Sequence, residues 1–286
     1  MADIAVHPAP KERLPLSLRL AAGWLVLVLV LAVFGPFFAP YGLNEQDFTA
    51  RFAPPVFFGG NWAHPLGTDQ IGRDLYSRLL TAIRISLLLS LLGTVIGMII
   101  GTTLGILAAH FRGLIEDLIM ALVDFQASLP FVIFAIAALA VFEANFVTFL
   151  MILGIAGWER YARLVRALVL QAQNDGYADA LDSLGAHPAR IYLKHVLPNI
   201  FGAVSVQMTI NFPETILLET GLSFLGLGIQ PPFTSLGLLV ADGRAYIFQA
   251  IWLIAFPGIA IFLTTLSVSL LGDRARDRAD VLSRKD

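Results

Sequence analysis

The chain has 286 residues, of which 57 % are hydrophobic and only 14 % charged, and its mean hydropathy is +0.76. A soluble domain carries about 25 % charged residues, so this chain cannot cover a water-facing surface and lipid is its main solvent. The net charge of −2 gives no basic footprint for nucleic acid, and the absence of cysteine removes disulfides, thiolate metal sites and cysteine nucleophiles together.

A membrane-spanning helix needs about 20 mostly apolar residues. Six runs reach or approach that length: residues 20–38, 85–109, 118–142, 146–165, 199–222 and 250–271. The first is long for a secretory signal and is read as a retained span. Backbone groups in lipid must pair internally, so the expected fold is an all-α membrane protein with about six transmembrane helices. With the N-terminus inside, 14 of the 19 Lys and Arg fall in inner segments and five in outer ones. This bias places both termini in the cytoplasm and makes residues 160–198 a long cytoplasmic loop.

Segment 73–84 puts Leu75, Leu79, Leu80 and Ile83 on one side and Arg73, Ser77, Arg78 and Arg84 on the other. It reads as an amphipathic helix on the outer membrane surface, or as the first turns of the second span. In that span Gly93, Gly97, Gly101 and Gly105 recur every four residues and form one smooth stripe. Such a stripe lets another backbone come close, within this chain or in a partner, and a glycine-lined pore wall is the other reading.

Polar residues inside apolar runs are costly and face protein or water. Asp124, Gln126, Asn211, Glu214 and Glu219 are such residues, while Glu159, Arg160 and Arg163 enter the far end of the fourth run and mark it as the weakest span. By depth, Gln126, Asn211 and Glu214 are candidates for a translocation path, whereas Asp124 and Glu219 lie toward span ends. No histidine sits in the middle of a run, which argues against haem ligation and an intramembrane Ser–His pair. No Gly-x-x-x-x-Gly-Lys-Ser/Thr occurs, so the chain has no recognisable ATP site of its own.

The loop at 175–198 parses into two short helices, the first over residues 177–184. Gly185 stands where a helix ends in a left-handed residue, Pro188 suits the first turn of the second helix, and Leu197-Pro198 is expected to end it. A helix–Gly–helix knob of this size either docks into a partner's groove or simply connects two spans.

This loop is similar to the "EAA" loop of binding-protein-dependent ABC importer permeases, whose pattern is Glu-Ala-Ala, three residues, Gly, and later Leu-Pro. Asp179, Ala180, Leu181, Gly185, Leu197 and Pro198 take those places. Three further stretches resemble the C-type permeases of the dipeptide, oligopeptide and nickel group: residues 64–74, residues 222–232, and Leu271-Gly272-Asp273 followed by Arg276-Asp277. The resemblance covers nearly all of residues 20–280. It departs at Asp179, one methylene shorter than the family's glutamate, and at Leu181 and Asp182, which make the surface bulkier and more acidic.

The resemblance implies a type I ABC importer permease fold with cytoplasmic coupling helices. It divides the chain into a cytoplasmic tail (1–19), a first span with a periplasmic loop and surface helix (20–84), a core transmembrane domain (85–271) and a C-terminal tail (272–286). It implies a transport subunit of the bacterial inner membrane with no catalytic residues, metal or cofactor of its own. ATP and Mg would be bound by two partner ATPases, and the other partners would be a second, B-type permease and an extracytoplasmic binding protein. The ATPases would be met by Asp179, Ala180, Leu181, Ser183, Gly185, Ala186, His187, Pro188, Arg190, Leu197 and Pro198. The binding protein would dock on the outer loops, where Asp69, Arg73 and Asp74 offer charge. Di- and oligopeptides are the expected cargo, with nickel, opines or sugars as alternatives within the group. An ion-coupled secondary transporter is the rival, but it calls for internal repeats that are not evident.

Overall fold

The computed structural model describes residues 15–142, 145–174 and 187–283. The Asp179, Ala180, Leu181, Ser183, Gly185 and Ala186 positions of the loop lie outside them. Helix α1 (Leu16–Phe38) and helix α2 (Leu75–Phe111) run antiparallel, joined by a loop that carries short turns at Phe48–Ala50 and Val56–Phe58. Segment 73–84 is not a separate surface helix. Asp74 caps α2 by accepting from the Ser77 amide at 2.7 Å, and the helix then runs 37 residues without interruption. Leu75, Leu80, Ala82 and Ile83 are buried, so this end is held by packing rather than laid on a lipid surface.

The third and fourth runs are each broken in two. Helix α3 (Gly113–Ser128) and helix α4 (Phe131–Val141) meet at 96°. The cause is Pro130, which lacks a backbone donor and pushes Leu129 into extended geometry (φ −91°, ψ 137°). Helix α5 (Phe146–Ile155) and helix α6 (Trp158–Asn174) are separated by Ala156 and by Gly157, whose φ of +80° suits glycine.

Beyond the loop, His187 accepts from the Ala189 amide and opens α7 (Pro188–Ile191), with Pro188 in the first turn. Leu197-Pro198 does not end this helix. A π-helical turn at Tyr192–Val196 carries the chain directly into α8 (Leu197–Phe224). The Leu197 amide bonds to the Tyr192 carbonyl, five residues back. That wider turn makes room for Pro198, whose ring would clash with the carbonyl four residues back in a regular helix. Helices α9 (Leu236–Gly243) and α10 (Trp252–Ser283) complete the bundle. Among the described residues three helices, α1, α2 and α10, are long and apolar enough to cross a bilayer alone, and the bent pair α3–α4 makes up to a fourth. Helix α8 has comparable length but holds Asn211, Glu214 and Glu219. The Trp24 indole donates to Thr264 at 3.2 Å, and Ser17 and Leu20 share a groove with Leu266 and Leu270, so α1 and α10 are antiparallel.

The glycine stripe of α2 packs within the chain, against the broken α5–α6 element. A Cβ at Gly93 would lie 2.8 Å from Leu153 Cβ, and one at Gly105 would lie 2.7 Å from the Ala162 carbonyl oxygen. At Gly101 a Cβ would fall inside the Trp158 carbonyl oxygen and 2.6 Å from Tyr161 Cβ. Backbone meets backbone here, so neither side can give by changing a rotamer.

Gly101→Ala is therefore expected to destabilise the purified protein by about 1–3 kcal/mol, the usual cost of overpacking. Gly23 in α1 has nothing within 4 Å of its Cβ position, so Gly23→Ala is the matched control. A thermal midpoint lowered by the first substitution and unmoved or slightly raised by the second is the expected result.

Candidate translocation site

The two breaks face the same stretch of α8. Between them lies a cavity of about 270 Å³, lined by Gln126 and Leu129 from the first break, Gly157, Glu159 and Arg160 from the second, and Asn211, Glu214 and Thr215 from α8. The Trp158 indole donates to Gln126 Oε1 at 2.7 Å, and Gln126 Nε2 donates to the Ile155 carbonyl at 2.7 Å and to Glu159 at 3.3 Å. Asn211 Nδ2 donates to the Gly157 carbonyl at 3.3 Å, and its Oδ1 accepts from Gln207 at 2.9 Å. The turn at Gly157 thus has its free carbonyl satisfied by α8, as a buried backbone group requires. Arg160 pairs with Glu214, and its Nε lies 3.7 Å from Glu159 Oε1.

All three residues singled out for depth, Gln126, Asn211 and Glu214, reach this one cavity. Sequence reasoning missed Glu159 and Arg160, which it had read as marking the end of a span. The available signal was an adjacent acid and base two residues after a glycine inside an otherwise apolar run. Arg160 opens a ladder on α6. Arg163 pairs with Asp124 at 2.8 Å and Arg166 pairs with Glu116, both acids lying on α3. Asp124 and Arg163 are well exposed. A charged pair that faces away from the protein interior at this depth belongs to water or a partner, not to hydrocarbon.

At the end of the bundle beyond this ladder, Ile191, Val196, Ile200 and Val204 pack with Val165, Val169 and Ala172 of α6 and Ala109 of α2. The Tyr192 hydroxyl lies 3.0 Å from His110 Nδ1. His187, Pro188 and Arg190 are at the surface of this end or partly covered, and Leu197 and Pro198 start α8. The segment after the 175–186 loop is thus fastened to α2 and α6.

The opposite end carries a charge knot. Asp69 accepts from Arg73 at 2.6 Å and from Arg78 at 2.8 Å, and Arg78 also reaches Asp242 of α9 at 3.0 Å. Asp74 holds His64 Nδ1 at 3.0 Å as well as capping α2. Asp69 and Asp74 are buried, so both tie the loop to the bundle and neither offers a free charge at the surface. Asp47, on the same loop, is held below the usual carboxylate range mainly by the Thr49 hydroxyl at 2.5 Å. Glu219 is fully buried and accepts from Ser223 at 2.9 Å. Among the described residues no group of three or more His, Cys, Asp or Glu could hold a metal ion.

The family model for the binding-protein-dependent transport system inner membrane component matches residues 101–280. The model for the N-terminal TM domain of oligopeptide transport permease C matches residues 18–55. The chain is 38 % identical over 258 residues to the di/tripeptide transport system permease protein DppC of Pseudomonas aeruginosa, covering 90 % of this chain and 85 % of that one. It is 38 % identical to the dipeptide transport system permease protein DppC of Escherichia coli K12, covering 90 % and 86 %. It is 36 % identical to the Bacillus subtilis protein of that name, covering 91 % and 80 %. In fold it matches a chain of the inward-facing MetNI methionine ABC transporter at a TM-score of 0.54 and 19 % identity, covering 70 % of this chain and 95 % of that one.

Asp69 joins two arginines, one of them the buried Arg78. Breaking a buried pair by removing one partner costs about 3–5 kcal/mol, and Asp242 remains to offset part of that loss. Asp69→Asn is expected to lower thermal stability toward the bottom of that range. Arg51→Gln, on an exposed side chain of the same loop, is expected to leave it nearly unchanged.

Proposed function

Because this chain belongs to the family of binding-protein-dependent transport system inner membrane components, we propose that it forms half of the translocation path of an ATP-driven importer of di- and oligopeptides. The arrangement that carries the reading is the cavity at the two helix breaks, which gathers the polar side chains of Gln126, Asn211 and Glu214. The peptide permeases among its relatives support the cargo class.

In this reading the chain lies in the inner membrane with both termini cytoplasmic, an arrangement favoured by the Lys and Arg bias and by the antiparallel α1 and α10. The tail, first span with its outer loop, core and C-terminal tail divide near residues 19, 84 and 271. A second permease completes the path, and two ATPases supply ATP hydrolysis. They engage the loop about 175–198, through the positions from Asp179 to Pro198 that match the family pattern. The binding protein docks on the outer loop that the charge knot supports, where Phe57, Phe58 and Trp62 are exposed.

The mechanical route is short. Helix α7, the π turn and α8 form one helical path from residue 188 to residue 224. A displacement of the loop enters α8 directly, and α8 carries Asn211 and Glu214 into the cavity. The packing of Ile191, Val196 and Ile200 on α6 makes Glu159 and Arg160 move with it. A packed interface of this kind switches between discrete states and does not bend continuously, which suits alternating access.

Gly185→Asp is expected to leave the complex inserted and able to hydrolyse ATP while peptide uptake is lost. Paired uptake and phosphate-release assays on proteoliposomes check this. Uptake at the normal rate would rule out the coupling role. Purification under mild detergent is expected to bring down a second membrane chain and two ATPases. A chain that transports alone without ATP would contradict the whole reading.

A further inference from the structure

The cavity lining holds two carboxylates, Glu159 and Glu214, and one guanidinium, Arg160. Its formal charge is −1. The guanidinium is shared: it pairs with Glu214, lies 3.7 Å from Glu159, and has Asn211 Oδ1 at 3.4 Å. The two ends of this arrangement differ in freedom. Glu159 is buried and fixed by Gln126, which is itself held by Trp158 and the Ile155 carbonyl. The Arg160 and Glu214 side chains are 43 % and 54 % exposed, so their pair forms the mouth. A long, flexible arginine at a mouth can leave one carboxylate for another at little cost.

On the reading of the preceding section, we propose that Glu159, Arg160 and Glu214 form a subsite for the charged termini of a short peptide. The cargo ammonium takes the place of the guanidinium between Glu214 and Glu159, and Arg160 turns to the cargo carboxylate. A peptide with both termini free brings one positive and one negative charge, so the exchange sets each cargo charge beside an opposite one and leaves the net charge of the cavity at −1. That condition matters because an uncompensated charge away from water is expensive. A peptide with its amine acetylated would bring only a carboxylate and leave three carboxylates sharing one guanidinium, whereas one with its carboxylate amidated would leave two cations for two carboxylates. The volume of about 270 Å³ is at the small end of ligand sites, which span about 300–1,000 Å³. It fits the ends of a short peptide better than a long one. Because the pairs exchange and do not accumulate, the subsite holds cargo weakly, as a conduit must.

The chain has no cysteine, so one introduced thiol reports on this cavity alone. Ala127 is exposed and lines the cavity. The experiment labels the Ala127→Cys variant with a maleimide in the assembled transporter, without binding protein, and follows the label on this chain. Ala-Ala, its C-terminal amide and its N-acetyl form are the competitors. A subsite with Kd about 1 mM slows labelling about twofold at about 1 mM Ala-Ala. The N-acetyl form is expected to give no protection, and the C-terminal amide, which brings only the positive charge, to protect at least as well as Ala-Ala. Adding Arg160→Gln removes the protection by Ala-Ala, and adding Arg160→Lys restores most of it. Equal protection by all three peptides, or none from Ala-Ala in a transporter that imports it, overturns the subsite. A wild-type complex that imports no peptide but moves another cargo refutes the preceding section's cargo reading, a result the labelling does not mimic.

Discussion

The contact between the glycine seam of α2 and the backbone of α5 and α6 sets the positions of everything else in this bundle. Gly97, Gly101 and Gly105 face Gly154, Trp158, Ala162 and Val165 with no side chain between the two backbones. Lipid gives little hydrophobic drive for helices to associate, so close packing of this kind takes its place. The seam runs across the break at Gly157 and fixes both halves of the broken element on one uninterrupted helix. That is why the turn at Gly157 can be held open. Its carbonyl points to Asn211 and its following residues, Glu159 and Arg160, point to the cavity.

Two sets of groups then divide the work. At one end, the charge knot of Asp69, Arg73, Arg78 and Asp242 and the indole of Trp252, which donates to the Thr68 carbonyl at 3.2 Å, lock the loop to α2, α9 and α10. At the other end, the apolar cluster around Val165, Val196 and Ile200 joins α6 to the start of α8. Between them lies a small polar space whose walls come from two broken elements and one continuous helix. Broken helices in a membrane are tolerated where their loose backbone groups line a cavity or are buried in protein. Both conditions hold here, with Gln126 satisfying the Ile155 carbonyl and Asn211 satisfying that of Gly157.

Much of this was readable from residue types alone, and the unread part has physical causes. A four-residue glycine period in an apolar run signals close approach, but not which element approaches, because the partner is a broken pair with no period of its own. Polar residues deep in apolar runs announce themselves by their cost, so Gln126, Asn211 and Glu214 stood out. Glu159 and Arg160 did not, because charges at the end of a run look like the end of a span. Pro130 was visible, yet membrane helices often absorb proline, and only the fold makes it a 96° bend. The π turn at Tyr192–Val196 was hidden as well, since a shift of one hydrogen-bond register has no compositional mark. Asp69 and Asp74 lie in a polar segment that resembles a solvated loop, and their burial goes with partners a sequence does not reveal, Arg78 with the distant Asp242 for the first and His64 for the second.

The central claim is that the cavity at the two breaks lies on the path and changes sides when the partner ATPases act. The Ala127→Cys variant of the naturally cysteine-free chain, with its thiol in the cavity lining, tests it most directly. Its reactivity with a membrane-impermeant maleimide is measured from each face of the proteoliposome, in the resting complex and in one trapped with ATP. Reactivity from one face at rest and from the opposite face when trapped is the expected result. Reactivity from a single face in both states, with transport intact, would contradict it.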